Sequence, residues 1–397
     1  MMSPVTRSRR NFLRFLASSP AIAWAQQVSH EQVAAVVESA KDALSVADFE
    51  EIARHKLPPA HWGYVASGVD DDATYRANIA GFQRIELRPR RLADIAKADT
   101  RVELFGAAFE SPVFLCPLSG QEMFHAEGEA GSARAARAKN ALQILSTQTS
   151  TSVEEVAGAL GRPPWYQLYQ PAQWEGTEKM NKRVEDVGCP VLVMTVDMAG
   201  GRNSETATRL ARTDTRNCLS CHTDNGNGRL GAPKGMLPME EGIGSALARP
   251  TWKDVDRLKR LTKMKLVLKG IETHEDAMLC REHGVEGIVV SNHGGRATED
   301  LRPTIESLPE VVEAAGGGIK IFVDSGFRRG TDVYKALALG ANAVGIGRPY
   351  VWGLTAFGQA GVERVLEILH AELLMTMRQC GTPTLAQITR AAVAIKS

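Results

Sequence analysis

The sequence predicts an α/β fold, a (β/α)8 barrel with a short N-terminal helical extension and a long insertion after its fourth strand. Three observations predict it. Eight short apolar runs recur between residues 113 and 347. Most gaps between them carry a helical apolar rhythm, and strands alternating with helices read as a parallel sheet. All eight runs end in polar residues or glycine, and the carboxyl ends of barrel strands are where barrel active sites form. The alternative, an open doubly wound sheet, lacks a G-x-G-x-x-G at its first unit.

The chain has 397 residues, 44% of them hydrophobic and 23% charged. That is ordinary globular composition, and the length can bury a substantial core. The formal net charge of +1 gives no support for nucleic acid or an acidic partner. Outside the N-terminus no apolar run is long enough to span a membrane.

Residues 1–25 read as an address. Ser8-Arg9-Arg10-Asn11-Phe12-Leu13-Arg14 is a twin-arginine pattern, and Ala23-Trp24-Ala25 fits a cleavage site. The expectation is a periplasmic protein, exported folded with its cofactor in place. Residues 26–110 form the extension and lead-in. They begin with a polar, Ala-rich helix to about residue 45, followed by a helix over Asp48–His55 that Pro58 and Pro59 end. Tyr64, between Gly63 and Gly68, suits either the core or a site.

The barrel proper is expected over 111–397. Its strands are predicted at 113–118, 142–146, 164–169, 190–196, 265–270, 287–292, 319–324 and 343–347, with helices over 127–139, 153–160, 178–187, 273–283, 304–315 and 331–339. The sixth strand delivers Ser291-Asn292-His293-Gly294-Gly295-Arg296. His293 is the best general-base candidate, because imidazole exchanges protons near neutral pH. Arg296 offers a planar fork suited to a carboxylate. Asp324, ending the seventh strand, is the carboxylate expected to orient His293. Lys269 places a cation in the barrel mouth. Gly326, Arg328, Gly347 and Arg348 follow the last two strands, the usual phosphate site of such barrels.

Taken together, Tyr64-x-Ala66-Ser67-Gly68, Gln167-Leu168-Tyr169, Thr195-Val196-Asp197, Lys269-Gly270, Ser291 to Arg296, Asp324 to Thr331 and Gly347-Arg348-Pro349 resemble the FMN-dependent L-2-hydroxy-acid dehydrogenase and oxidase family. Glycolate oxidase, L-lactate dehydrogenases and flavocytochrome lactate dehydrogenase belong to it. The resemblance runs from about residue 45 to the C-terminus. It implies a homotetrameric barrel binding FMN and oxidising a small, lactate-like 2-hydroxy acid. His293 would take a proton, supported by Asp324. Arg296 and Arg202 would hold the substrate carboxylate, with Tyr64 and Tyr169 assisting. Pro117, Leu118, Ser119, Ser146, Gln167, Thr195, Lys269 and Ser291 would contact the flavin, Lys269 favouring negative charge on the ring. Asp324, Ser325, Gly326, Phe327 and Arg328, with Gly347 and Arg348, would enclose its phosphate end. The chain departs from the family pattern at Leu118, Ser119 and Gln148, and Gly200-Gly201-Arg202 matches it only across a short deletion.

Residues 203–250 read as a long, Gly-rich, weakly periodic insertion. Within it Cys218-Leu219-Ser220-Cys221-His222 matches the attachment pattern of c-type haem, with Met236 or Met239 as a second axial ligand. A disulfide or a metal hook is the alternative. On the haem reading, electrons pass from substrate through FMN to haem and on to a cytochrome. The competing expectations are an oxidase that passes electrons to oxygen and a catalytically silent barrel, the latter disfavoured by His293, Asp324 and Arg296 together.

Overall fold

The computed structural model describes residues 37–216, 222–224, 230–233 and 247–396. Within them the fold is a closed parallel barrel of eight strands. Ahead of the barrel come α1 (Val46–Lys56), α2 (Pro59–Ala66), α3 (Ala73–Ala80), β1 (Ile85–Leu87) and the hairpin of β2 (Val102–Leu104) and β3 (Ala107–Phe109). The barrel begins with β4 (Val113–Leu115), α4 (Gly128–Ala138), β5 (Leu142–Ser146), α5 (Val153–Leu160), β6 (Trp165–Leu168), α6 (Trp174–Val187) and β7 (Val191–Thr195). The insertion contributes α7 (Glu205–Arg212) and the antiparallel pair β8 (His222–Asp224) and β9 (Leu230–Pro233). The barrel resumes with α8 (Trp252–Leu261), β10 (Lys265–Lys269), α9 (His274–Glu282), β11 (Gly287–Val290), α10 (Thr304–Ala315), β12 (Lys320–Val323), α11 (Gly330–Ala338) and β13 (Ala343–Ile346). It closes as β10-β11-β12-β13-β4-β5-β6-β7. A long helix, α12 (Arg348–Cys380), kinks at Phe357 and Gly358, and β14 (Val393–Ile395) pairs antiparallel with β1.

Every barrel strand is covered on both faces, which is why each reads as a continuous apolar run rather than an alternation. The outward residues, such as Leu115, Leu192, Ile288, Ile321 and Val323, pack under the helices. The inward residues form a second core of Phe114, Ile144, Trp165, Val193, Val267, Val289 and Phe322. Phe105, at the turn of the β2–β3 hairpin, plugs the lower mouth, its ring centroid 5.4 Å from Trp165 and 6.2 Å from Phe322.

Three expectations change here. Among the described residues ahead of α1, 38–45 hold a 3-10 turn at Ala40–Asp42 in place of the expected helix. Pro58 and Pro59 do not simply end the first helix. Proline suits a first turn, and Pro59 starts α2, which carries Tyr64. The insertion is not wholly a loop, because α7 lies at its start and packs on α2: a Cβ at Gly63 would lie 3.2 Å from the Ala207 Cα and the Leu210 Cβ. Cys218 and Cys221, with Met236 and Met239, lie outside the described residues, as does the leader. Of His222 only its place in β8 is described. No helix among the described residues is long and apolar enough to cross a membrane.

Candidate active site

Side chains on a strand alternate between faces with period two. Continuing the inward set one step past the apolar layer puts Cys116, Ser146, Gln167, Thr195, Lys269, Ser291 and Asp324 together on the barrel floor. They form a polar arc. The Ser146 hydroxyl donates to Gln167 Oε1 at 3.0 Å, and Gln167 Nε2 donates to Thr195 Oγ1 at 2.9 Å. Lys269 Nζ donates to the Ser291 hydroxyl at 2.7 Å and sits 3.5 Å from Asp324. The Cys116 thiol lies 3.7 Å from the same carboxylate. Burial opposes the Lys269 charge, but Asp324 and Asp197 outweigh it and raise its pKa above that of a free lysine.

The segment after β11 then turns sharply. His293 itself has φ 60°, and Gly294 and Gly295 follow at 69° and 76°. Such backbone favours glycine, and Gly295 is needed twice over. A Cβ there would lie 2.5 Å from the Tyr75 backbone nitrogen. Replacing Gly295 with Ala is expected to lower stability by about 1–3 kcal/mol, read as a drop in the thermal midpoint of the protein.

The turn carries His293 above the arc. Its Nε2 is 3.1 Å from the Tyr169 hydroxyl, and its Nδ1 is 3.0 and 3.2 Å from the two Asp197 oxygens. Here the structure corrects the sequence reading. The carboxylate on His293 is Asp197, two residues beyond β7, and not Asp324. Asp324 is inward-facing and is engaged by Lys269 and by the Ser325 hydroxyl at 2.8 Å. Burial works against charge on both members of the pair. It holds the His293 ring below its usual 6.5, against the pull of Asp197. Burial of Asp197 is outweighed by His293 and Lys269, which keep its carboxyl below the ordinary range. The resting pair is therefore a carboxylate and a neutral imidazole. Hydrogen bonding through Nδ1 to Asp197 leaves Nε2 toward Tyr169.

Arg296 is 8% exposed, with its guanidinium 4.4 Å from the Tyr64 ring centroid. Its Nη1 donates to the Tyr64 and Ser67 carbonyls. The Tyr64 hydroxyl meets the Ser119 hydroxyl at 2.8 Å, so Ser119 reaches the tyrosine that the sequence had paired with substrate. Arg202 is exposed at the rim, where its charge acts on Tyr169 and Arg296.

Beside these groups, at the carboxyl ends of the strands, opens a cleft. Pro117, Leu118, Lys269, His293, Arg296, Asp324 to Arg328 and Gly347 to Pro349 line it. Arg348 donates to the carbonyls of Val65, Gly294 and Ser67 and so braces the rim. Arg328 differs. Its Nη1 meets the Phe327 carbonyl at 2.9 Å, but its buried Nη2 finds no acceptor among the described residues. A buried guanidinium nitrogen with no acceptor leaves a place for an anionic group.

The sequence profile of the FMN-dependent dehydrogenases matches residues 53–395. The chain belongs to this family. The peroxisomal (S)-2-hydroxy-acid oxidase of Oryza sativa subsp. japonica is 38% identical over 354 residues, 88% of this chain and 95% of its own. 2-Hydroxyacid oxidase 2 of Rattus norvegicus is 38% identical over 350 residues, 87% of this chain and 97% of that one. A crystal structure of mandelate oxidase superposes with a TM-score of 0.80 at 35% identity, covering 89% of this chain and 99% of the other. The family's FMN fits the residues present. Arg328 has a free donor for a phosphate, and the polar arc beside the cleft offers donors and acceptors to a flavin ring. Asp197 in its present role was missed in the sequence, although Thr195-Val196-Asp197 marked its strand end. No group of three or more His, Cys, Asp or Glu side chains among the described residues is arranged to hold a metal.

Proposed function

We propose that the protein oxidises a small, lactate-like 2-hydroxy acid to the 2-oxo acid, with dioxygen as electron acceptor and hydrogen peroxide as second product. The observation that carries the reading is the line Tyr169–His293–Asp197 standing beside the cleft with Arg296 and Lys269. FMN, when bound, supplies the two-electron acceptor. The chain's own part is positioning and proton transfer. Arg296, with Arg202 at the rim, attracts the substrate carboxylate, and Tyr169 and Tyr64 supply hydroxyls to orient it. A substrate hydroxyl brought to Nε2 loses its proton to a neutral, buried imidazole. Asp197 stabilises the imidazolium that results, as the orienting carboxylate does in other histidine-based sites.

The choice of acceptor is supported by the relatives. They are named as 2-hydroxy-acid oxidases and span nearly the whole domain, so they favour oxygen over the expected cytochrome. They give no support to covalent haem, which rests on Cys218, Cys221 and His222 alone. Export through the twin-arginine leader and assembly as a homotetramer remain parts of the same proposal. The deciding experiment offers L-lactate, glycolate and (S)-mandelate to the FMN-loaded protein. Oxygen uptake and peroxide are followed beside reduction of cytochrome c, with a pyridine haemochrome spectrum of protein made in a haem-c-maturing host. Peroxide formed in step with the 2-oxo acid is expected. Cytochrome reduction without oxygen uptake, together with a haem c spectrum, would replace the oxidase reading.

A further inference from the structure

A third acidic side chain lies behind the groups that handle the proton. Glu272 stands in the turn between β10 and α9. That turn packs on Asp197: a Cβ at Gly270 would lie 2.6 Å from the Asp197 Cβ and 2.9 Å from its Cγ. Two residues on, Glu272 directs its Oε2 into the protein, shielded from solvent and without a hydrogen-bond partner among the described residues. An ionised carboxylate rarely sits so, because burial without partners penalises charge.

The groups around it are mostly acidic. Asp300 acts on it from the loop ahead of α10, Asp197 from the end of β7 and Asp324 from the end of β12. Arg302 opposes them, but its guanidinium is tied to Glu310 of α10 at 2.8 Å. Its Nη1 meets the Glu272 backbone carbonyl at 3.3 Å. Lys269, on the same segment, is held by Asp324 and Ser291. Burial first, then Asp300 and Asp197, push the Glu272 carboxyl up to about 8.

We propose that Glu272 is a positioning residue for the proton acceptor, a carboxyl group uncharged in the working protein and set behind Asp197. When it loses its proton it adds a negative charge behind the Asp197–His293 pair and weakens the hold of the site on an anionic substrate. The substrate half rests on the function proposed above; the protonation of Glu272 does not. At an effective dielectric near 20, a unit charge placed within about 10 Å of a bound anion changes an equilibrium constant on the order of tenfold. Among the groups that touch His293 or Lys269, burial raises Tyr169, the acidic neighbours raise Lys269, and burial lowers His293. An inflection between about pH 7 and 9 at His293 that disappears with Glu272→Gln belongs to Glu272.

The test compares the FMN-loaded protein with Glu272→Gln, which keeps the shape and removes the ionisation. In the parent protein KM for the 2-hydroxy acid is expected to climb about tenfold between pH 7 and 9, and in the variant to stay level. The ring resonance of His293, assigned with His293→Gln, should show a second inflection near pH 8 that the variant lacks. Thermal midpoints give a third readout. The folded carboxyl keeps its proton while the unfolded one has lost it, so the parent loses stability between about pH 4.5 and 8. Glu272→Gln should therefore gain on the parent across that window. Identical His293 titrations and identical midpoint profiles in the two proteins overturn the proposal. The resonance and the midpoints need no turnover. A protein with both signatures that oxidises no 2-hydroxy acid keeps the Glu272 assignment and sinks the functional reading instead. Should Glu272→Gln not accumulate, a single inflection in the parent His293 titration is enough to overturn it.

Discussion

Replacing His293 with Gln is expected to lower kcat for 2-hydroxy-acid oxidation by about 10²–10⁴-fold, the scale of a lost general base, while FMN remains bound. Glutamine is of similar length and can still hydrogen-bond to Asp197 and Tyr169, but it cannot take the proton. The floor arc of Ser146, Gln167, Thr195 and Lys269 contains no atom of His293, so the variant should keep the flavin absorbance of the parent. Parent kcat/KM rises with pH as the imidazole loses its proton. Burial places that rise below pH 6.5, and it should vanish in the variant. Steady-state rates across pH, with flavin content measured on the same samples, check both points. A variant with full activity would remove His293 from the chemistry.

The barrel was legible because its strands are buried on both faces. The runs at 142–146 and 265–270 became β5 and β10 almost without change of bounds, and the ends fell short elsewhere only where chain leaves the ladder, as at 116–118. The floor arc was legible too, since inward parity carries upward from Trp165 to Gln167 and from Val193 to Thr195. What could not be read was the partner of His293. Asp324 looked right because it is a carboxylate at a strand's carboxyl end with no other evident role. Yet inward parity points it at Lys269 and Cys116, while the left-handed backbone at His293 swings the ring across β10 toward β7. A single positive φ decides this, and the residue carrying it is not glycine. Glu272 was silent for another reason. A lone acid in a turn carries no motif, and its meaning comes only from Gly270 packing on Asp197. The helix α7 was hidden by its setting in a Gly-rich stretch, since its eight residues are all partly or fully exposed.

Asp197→Asn should reduce kcat by about 10²–10³-fold, and Asp324→Asn should act differently. The carboxamide cannot neutralise the imidazolium formed when His293 takes a proton, so the developing charge loses its counter-ion. It also changes the resting ring. Asp197 is the one group in contact with His293 that raises its pKa against burial and the cations Lys269 and Arg296. Its removal therefore drives the pKa of His293 further down, and the rising limb of kcat/KM moves to lower pH. Asp324→Asn instead takes from Lys269 the nearer of its two carboxylates. The buried ammonium then keeps only Asp197 and the Ser291 hydroxyl, so its pKa falls, while His293 keeps both oxygens of its partner. The limb assigned to His293 should stay where it is in that variant. Profiles of kcat/KM for the parent and the two variants separate the cases. A limb that moves with Asp324→Asn and stays with Asp197→Asn would return the orienting role to Asp324 and make the 3.0 Å contact to Asp197 incidental to catalysis.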